Sequence, residues 1–199
     1  MDISMRLIRR NLSFLRNVPL AAPDAILGLN TAFKADTNPY KVNLGVGAYR
    51  GNEGKPYVLE SVRKAEQIIL NSSLDHEYSS IHGDADFLKL ALVFAYGRDC
   101  EALKSKQIAA VQTLSGTGAC RVFAEFIARF APSKNIYLPD PTWGNHHAIM
   151  KAGGLTLFKY RYYNSRDKSF DFHGLKEDVL KAPNQSSFLL HSCAHNPTG

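Results

Sequence analysis

The chain has 199 residues, of which 45% are hydrophobic and 21% are charged, so it is too apolar for a disordered protein. Its longest near-continuous apolar run, residues 90–96, is far shorter than the about 20 residues of a membrane-spanning helix, and we expect no membrane segment. The net charge is +6, but the first 17 residues carry +3 of it. The +3 left on the other 182 residues is too small for a nucleic-acid-binding surface.

The apolar and turn residues predict helices and strands in the following chain order. The expected helices cover residues 25–34, 61–70 (capped by Ser61), 84–96 (opened by Asp84), 117–130, 143–152 and 175–181, and the expected strands cover 41–44, 108–114, 135–138, 155–160 and 187–191. Helix 84–96 is apolar nearly all round, so we expect it to be buried. From residue 106 onward strands alternate with helices, which predicts an α/β layer structure with a largely parallel sheet.

The first 17 residues have the composition of a mitochondrial targeting segment. On a helix, the four arginines would share one face with Ser13 and Asn17, and the apolar residues would lie on another. A basic, amphipathic segment that is poor in acidic residues is typical of a transit peptide. The alternative is a solvated terminal arm. We therefore predict a location in the mitochondrial matrix, with the cytoplasm as the alternative.

The three cysteines, Cys100, Cys120 and Cys193, are odd in number and lack CxxC spacing. They predict no disulfide framework, and a reducing compartment suits them. His191, Cys193 and His195 alternate along the chain, but this is not a recognised zinc spacing and no second cluster completes four ligands. We expect no metal site.

Residues 113–119 (TLSGTGA) join an expected strand to an expected helix. Glycines allow a tight turn, hydroxyls can donate hydrogen bonds, and a helix N-terminus offers free N–H groups, so a phosphate is the natural ligand. An ordinary strand-to-helix turn is equally compatible with the pattern. A dinucleotide fold is a further alternative, with Gly116, Gly118 and Asp140, but Arg121 stands where a third glycine would be expected.

Trp143, the only tryptophan, follows the next expected strand. In open α/β sheets ligands bind beyond the carboxyl ends of the strands, so this indole could stack on a flat ligand. A tryptophan in the protein core is the alternative. The last residues, 196–199 (NPTG), form a turn directly after an apolar strand, and we interpret the chain as part of a longer protein.

Together with residues 41–50 (KVNLGVGAYR), these loops resemble the aspartate aminotransferase family of fold type I pyridoxal-phosphate enzymes. The resemblance runs from about Phe14 to Gly199 and includes the segments 54–56 (GKP), 62–66 (VRKAE), 76–78 (HEY), 160–163 (YRYY) and 195–199 (HNPTG). It implies that only the N-terminal half of a subunit is present.

The resemblance implies an α/β fold in which a mostly parallel sheet of the large domain has helices on both faces. Residues 1–23 would form an N-terminal arm that includes the targeting segment. Residues 24–57 would be the N-terminal part of the small domain, and 58–199 the incomplete, cofactor-binding large domain. The resemblance also implies cis peptide bonds before Pro141 and Pro197, since proline is the residue that tolerates them.

The resemblance implies a cofactor site for pyridoxal 5'-phosphate. Ser115, Gly116 and Thr117 would bind its phosphate, and Trp143 would stack on its pyridine ring. Asn196 would hydrogen-bond the phenolic oxygen of the ring. The last two predicted members of the site, His146 and His191, would support the carboxylate that pairs with the pyridine nitrogen.

The substrate side of the site would be lined by Val46 and Gly47, together with Trp143 and Asn196, which helps to hold the substrate α-carboxylate. The resemblance also implies a homodimer. Tyr78 would reach across the interface to the phosphate held by the other subunit, and an arm of about residues 14–23 would embrace that subunit.

The implied activity is transfer of the amino group of L-aspartate to 2-oxoglutarate, through a Schiff base of pyridoxal phosphate and in two half-reactions. The Schiff-base lysine belongs to the absent half, so we predict no catalytic residue in this chain and expect the chain alone to be inactive. Aromatic amino acid aminotransferase activity is one alternative, because the arginine that selects aspartate is not visible here. A non-catalytic nucleotide- or cofactor-binding α/β module is the other.

Overall fold

The computed structural model describes residues 16–20, 25–45 and 47–199. Most of the predicted targeting segment and the predicted substrate residue Val46 lie outside the described residues. Contacts divide the chain into two compact units, residues 1–76 and 77–199. The predicted domain boundaries after residues 23 and 57 stay predictions.

The described residues of the first unit form two helices near their predicted positions, α1 (Ala25–Ala35) and α2 (Glu60–Asn71). Lys41 closes α1, since its Nζ donates to the carbonyl oxygens of Phe33 at 2.8 Å and of Asp36 at 2.6 Å. The predicted strand over 41–44 is wrong, because this lysine is held at the helix end and no strand of the described residues pairs with the segment. The predicted cap is also wrong: Leu59 precedes α2 and makes no side-chain cap.

The second unit alternates helices and strands. In chain order its elements are α3 (Ala85–Tyr96), α4 (Glu101–Lys104), α5 (Ser115–Phe130), β1 (Asn135–Asp140), α6 (Gly144–Ala152), β2 (Thr156–Arg161), β3 (Tyr163–Asn164), β4 (Ser169–Phe170), α7 (Phe172–Lys181) and β5 (Ser187–Phe188). The short helix α4 and the antiparallel pair β3–β4 have no counterpart in the sequence prediction. No helix of the described residues is both long and apolar enough to cross a membrane.

Two predictions for this unit are wrong. Residues 108–114 form no strand, and the segment has no neighbour in a sheet. Gln112 instead contacts the residues before α3: its N–H donates to the carbonyl of His82, and its side-chain oxygen accepts the N–H of Asp84, both at 2.8 Å. Helix α3 begins at the predicted cap Asp84 but has no buried residue, and Phe94 is 93% exposed. Its apolar sides lack a covering element, since within this unit it packs mainly against the short helix α4.

The sheet that positions the functional loops has three parallel strands in the order β2–β1–β5. This confirms the predicted α/β layer structure. Tyr137 of β1 lies opposite Phe158 and Phe188, and its ring stacks on both at centroid distances of 5.0 and 4.8 Å. Because parallel crossovers are right-handed, this strand order puts α6 and α7 on opposite faces of the sheet.

The hydrophobic core lies where α5 and α6 pack on the sheet. Its buried members are Ala124, Ile136, Leu138, Met150 and Leu155. Gly153 ends α6 directly against α5, and a Cβ placed on it would lie 2.5 Å from the Cβ of Ala124. Since Gly153 has ordinary right-handed helical angles, it is the close approach of the two helices, rather than backbone conformation, that requires glycine here.

The substitution Gly153→Ala should therefore destabilise the second unit. The added methyl group forces α5 and α6 apart, and overpacking of this kind costs about 1–3 kcal/mol. Urea unfolding followed by far-ultraviolet circular dichroism measures the loss. Gly144→Ala, in the same helix but with open space around the added Cβ, is the matched control and should cause no loss. Equal stabilities of the two variants would contradict this account of the α5–α6 contact.

Candidate functional site

The loops that follow β1 and β5 meet at one edge of the sheet. The two strands are adjacent and parallel, so their carboxyl ends point the same way. The loop after β1 carries Trp143, and His146 follows in the first turn of α6. The loop after β5 carries His191 and Asn196. Four residues predicted to bind the cofactor therefore lie on the two segments that follow these neighbouring strands.

Ring contacts join these loops into a continuous cluster. The indole of Trp143 packs edge-on against His146 at a centroid distance of 5.2 Å, and His146 packs edge-on against His191 at 5.3 Å. His191 in turn stacks on His195 at 4.1 Å with an interplanar angle of 21°. Trp143 is half-buried, so one part of the indole is packed and another part is open to a ligand.

A hydrogen bond from the backbone fixes where the proton of His191 lies. Nδ1 of His191 accepts the backbone N–H of Asn196 at 3.0 Å, so the neutral ring carries its hydrogen on Nε2. This Nε2 is buried and has no partner among the described residues. Nδ1 of His146 lies 2.9 Å from the hydroxyl oxygen of Thr142. The Nε2–H of His191 is thus a buried donor without an acceptor among the described residues.

Burial keeps these rings neutral. His146 is 8% exposed, and burial is the main cause that lowers its pKa, with nearby His191 as the next cause. Burial also lowers the pKa of His191, and neighbouring His195 lowers it further. Among the described residues, no group of three or more His, Cys, Asp or Glu side chains is placed to hold a metal ion.

The predicted phosphate-binding residues begin helix α5. Ser115 has a left-handed backbone with φ of 56°, and its carbonyl accepts the hydroxyl of Thr113 at 3.0 Å. The residue before the helix, Leu114, caps none of its N–H groups with its side chain. Ser115, Gly116 and Thr117 are exposed, and the space beside Gly116 is open. The helix end therefore has free donors and room for an anion.

Other predicted site residues are not joined to the ring cluster. No hydrogen bond or ring contact of the described residues connects Ser115, Gly116 or Thr117 to it. Tyr78 is 97% exposed. Gly47 is an exposed residue of the first unit. The two cis peptide bonds that the resemblance implied, Asp140-Pro141 and Asn196-Pro197, are both present.

Three residues that hold the cluster together were missed in the sequence. Thr142 binds His146, Tyr162 stacks on His195 at 3.8 Å, and His195 lies 2.9 Å from the carbonyl oxygen of Pro141 through Nε2. Tyr162 directly follows β2, so its place at a strand end was a usable signal. The contacts of His195 depend on tertiary packing, which no spacing in the sequence encodes.

Comparison with known proteins identifies relatives for most of the chain. Residues 39–199 match the family model described as aminotransferase class I and II. The mitochondrial aspartate aminotransferase of Dictyostelium discoideum is 46% identical over 98% of this chain and 46% of its own length. The mitochondrial enzyme of Arabidopsis thaliana is 52% identical over 96% of this chain and 44% of its own length. The chain thus spans slightly less than half the length of these relatives.

Solved structures give the same result. The cytoplasmic aspartate aminotransferase of Saccharomyces cerevisiae has a TM-score of 0.85 and is 42% identical in sequence. The match covers 94% of this chain and 45% of the yeast chain. The aromatic-amino-acid aminotransferase of Burkholderia pseudomallei, whose structure is covalently bound to pyridoxal phosphate, has a TM-score of 0.85 and is 36% identical in sequence. The match covers 90% of this chain and 45% of the Burkholderia chain. The predicted family and the fold type I architecture are confirmed.

The lowered histidine pKa values predict that the protein loses stability in mild acid. The unfolded chain binds more protons than the folded one, so stability is complete above the ordinary histidine pKa of about 6.5 and falls as the pH drops below it. Urea unfolding measured between pH 7.5 and 5 should show this decline. It should be shallower in His146→Gln and unchanged in His173→Gln, which alters an exposed histidine of α7. Stability that rises toward pH 5 would contradict the prediction.

Proposed function

The chain belongs to the class I and II aminotransferases, and we propose that its protein transfers the amino group of L-aspartate to 2-oxoglutarate, giving oxaloacetate and glutamate. Aspartate is the substrate in the names of its relatives, which include mitochondrial aspartate aminotransferases at 46–52% identity, and 2-oxoglutarate is the acceptor that the family resemblance implies. The reaction needs pyridoxal phosphate, which supplies a carbonyl for the amino group and an electron-withdrawing ring when it is bound.

One observation supports the cofactor site most directly, namely the unused Nε2–H of His191. A buried donor without an acceptor costs about 1–3 kcal/mol, so the site is suited to an acceptor that the described residues do not supply. The carboxylate that pairs with a pyridine nitrogen is such an acceptor. Because burial keeps His191 neutral, the ring can donate to this carboxylate without cancelling its negative charge.

The other assigned residues have settings that suit their roles. Gly116 and Thr117 offer free N–H groups at a helix N-terminus and Ser115 offers its hydroxyl, which favours a phosphate. The half-buried indole of Trp143 offers a flat surface to a pyridine ring. The backbone of Asn196 is held by Nδ1 of His191, which leaves its side-chain amide for the phenolic oxygen of the ring and the substrate carboxylate.

The remaining assignments complete the proposal. Gly47 and Val46 are assigned to substrate binding, as the family resemblance implies. Tyr78, which is almost fully exposed, binds the phosphate held by the second subunit of a homodimer, and the N-terminal arm contacts that subunit. The lysine that exchanges its bond to the cofactor with the substrate lies outside this chain. The protein acts in the mitochondrial matrix, in agreement with the names of its relatives and with its basic N-terminal segment.

A chimeric enzyme tests the activity. This chain replaces the region that it matches in the Arabidopsis thaliana enzyme, so that the relative supplies the rest of the subunit. We expect the chimera to bind pyridoxal phosphate and to form oxaloacetate from aspartate and 2-oxoglutarate, followed through a coupled dehydrogenase. A folded chimera that binds the cofactor but is inactive would contradict the proposal. Faster turnover of phenylalanine than of aspartate would instead support the aromatic alternative.

The phosphate assignment has its own test in the same chimera. Thr117→Val removes a hydroxyl donor, and hydrogen bonds to charged groups contribute about 1.5–3 kcal/mol, so pyridoxal phosphate should bind about ten- to a hundredfold more weakly. Binding of pyridoxal, which lacks the phosphate, should not change. Thr156→Val, at the exposed start of β2, is the matched control. Equal losses for the two ligands would show that Thr117 does not bind the phosphate.

A further inference from the structure

His195 contacts the segment that follows each strand of the parallel sheet. The side chain is only 4% exposed. Its Nε2 lies 2.9 Å from the carbonyl oxygen of Pro141, the first residue after β1. Its ring stacks on Tyr162, the first residue after β2, at 3.8 Å, and on His191, after β5, at 4.1 Å. One buried ring therefore joins three loops.

The contact with Pro141 also fixes the proton on this ring. A carbonyl oxygen can only accept, so Nε2 of His195 must donate. The other nitrogen, Nδ1, is buried and has no partner among the described residues. Through Nε2, His195 donates to Pro141, which lies 54 residues away in sequence. The two faces of its ring are covered by the rings of Tyr162 and His191.

The two loops that this hydrogen bond joins carry different parts of the proposed cofactor site. Pro141 stands two residues before Trp143, the proposed stacking surface. His191, which His195 covers, accepts the backbone N–H of Asn196, the proposed partner of the phenolic oxygen. A shift of the loop after β1 would move the indole relative to this amide. Such a shift is resisted by the hydrogen bond from His195.

We propose that His195 is a positioning residue, whose hydrogen bond to Pro141 holds the indole of Trp143 and the amide of Asn196 in the relation that a planar cofactor requires. The inference rests on the proposed function for its ligand. The geometry itself does not, because the contacts of His195 are made with residues of this chain.

Two substitutions separate the hydrogen bond from the ring packing. His195→Phe keeps a flat ring between Tyr162 and His191 but cannot donate to Pro141. His195→Gln keeps an N–H donor of similar reach but loses the ring. If the hydrogen bond positions the loops, Phe is the more harmful change for the site. If His195 only fills space, Gln is the more harmful change in every measurement.

The first measurement needs no cofactor. In this chain the indole of Trp143 is the only one, so near-ultraviolet circular dichroism and acrylamide quenching of fluorescence report its surroundings. We expect His195→Phe to weaken the indole dichroism and to raise the quenching constant, and His195→Gln to remain closer to the wild type. His173→Phe, at an exposed position of α7, is the matched control and should change neither signal.

The second measurement uses the chimera described above. His195→Phe should weaken the binding of pyridoxal phosphate about three- to tenfold, the effect of one hydrogen bond, and His195→Gln should weaken it less. Urea unfolding of both variants measures the packing contribution separately. A wild-type chimera that binds no cofactor would refute the proposed function while the indole measurement still tests the positioning.

The proposal is overturned if His195→Phe leaves both the Trp143 signals and the cofactor affinity of a binding-competent chimera at wild-type values. It is also overturned if His195→Gln is the more harmful variant in both measurements, since packing would then explain the burial of His195.

Discussion

The parallel pairing of β1 with β2 on one side and β5 on the other is the constraint on which the site depends. Parallel strands end at the same edge of a sheet, so three segments far apart in sequence are brought together there. The chain places aromatic and imidazole rings at these strand ends. The stacked rings of Tyr137, Phe158 and Phe188 hold the three strands together below that edge.

In the ring cluster, burial sets the pKa values of the histidines and so the hydrogen bonds that they can make. Packing against one another removes His146 and His191 from water, and this loss of solvation lowers their pKa values. A neutral imidazole has one donor and one acceptor, and the backbone N–H of Asn196 already occupies the acceptor of His191. What remains is a single donor with a defined direction. The free N–H groups at the start of α5 are polar groups of another kind, since a helix leaves them unpaired by its geometry.

The sequence predicted those elements whose patterns are satisfied locally. Apolar runs flanked by turns gave β1, β2 and the helices α5, α6 and α7 to within a few residues. Segments 41–44 and 108–114 have strand-like residues as well, but a strand exists only where a neighbour pairs with it, and the sequence carries no sign of that partner. Strand-end position and family resemblance singled out Trp143, His146, His191 and Asn196, and the structure brings these four residues close together. Tyr162 and His195 were missed because their contacts arise between loops. Thr142 was missed although its partner His146 is only four residues away. The roles of all the predicted site residues stay predictions.

The close approach of α5 and α6 has a consequence for related sequences. Gly153 and Ala124 share a space too small for two methyl groups, so neither position can change freely while the other stays as it is. A lineage that acquires alanine at position 153 needs glycine at 124 to keep the same distance between the helices. The two positions should therefore vary together among relatives, as a pair whose summed volume is conserved although neither residue is.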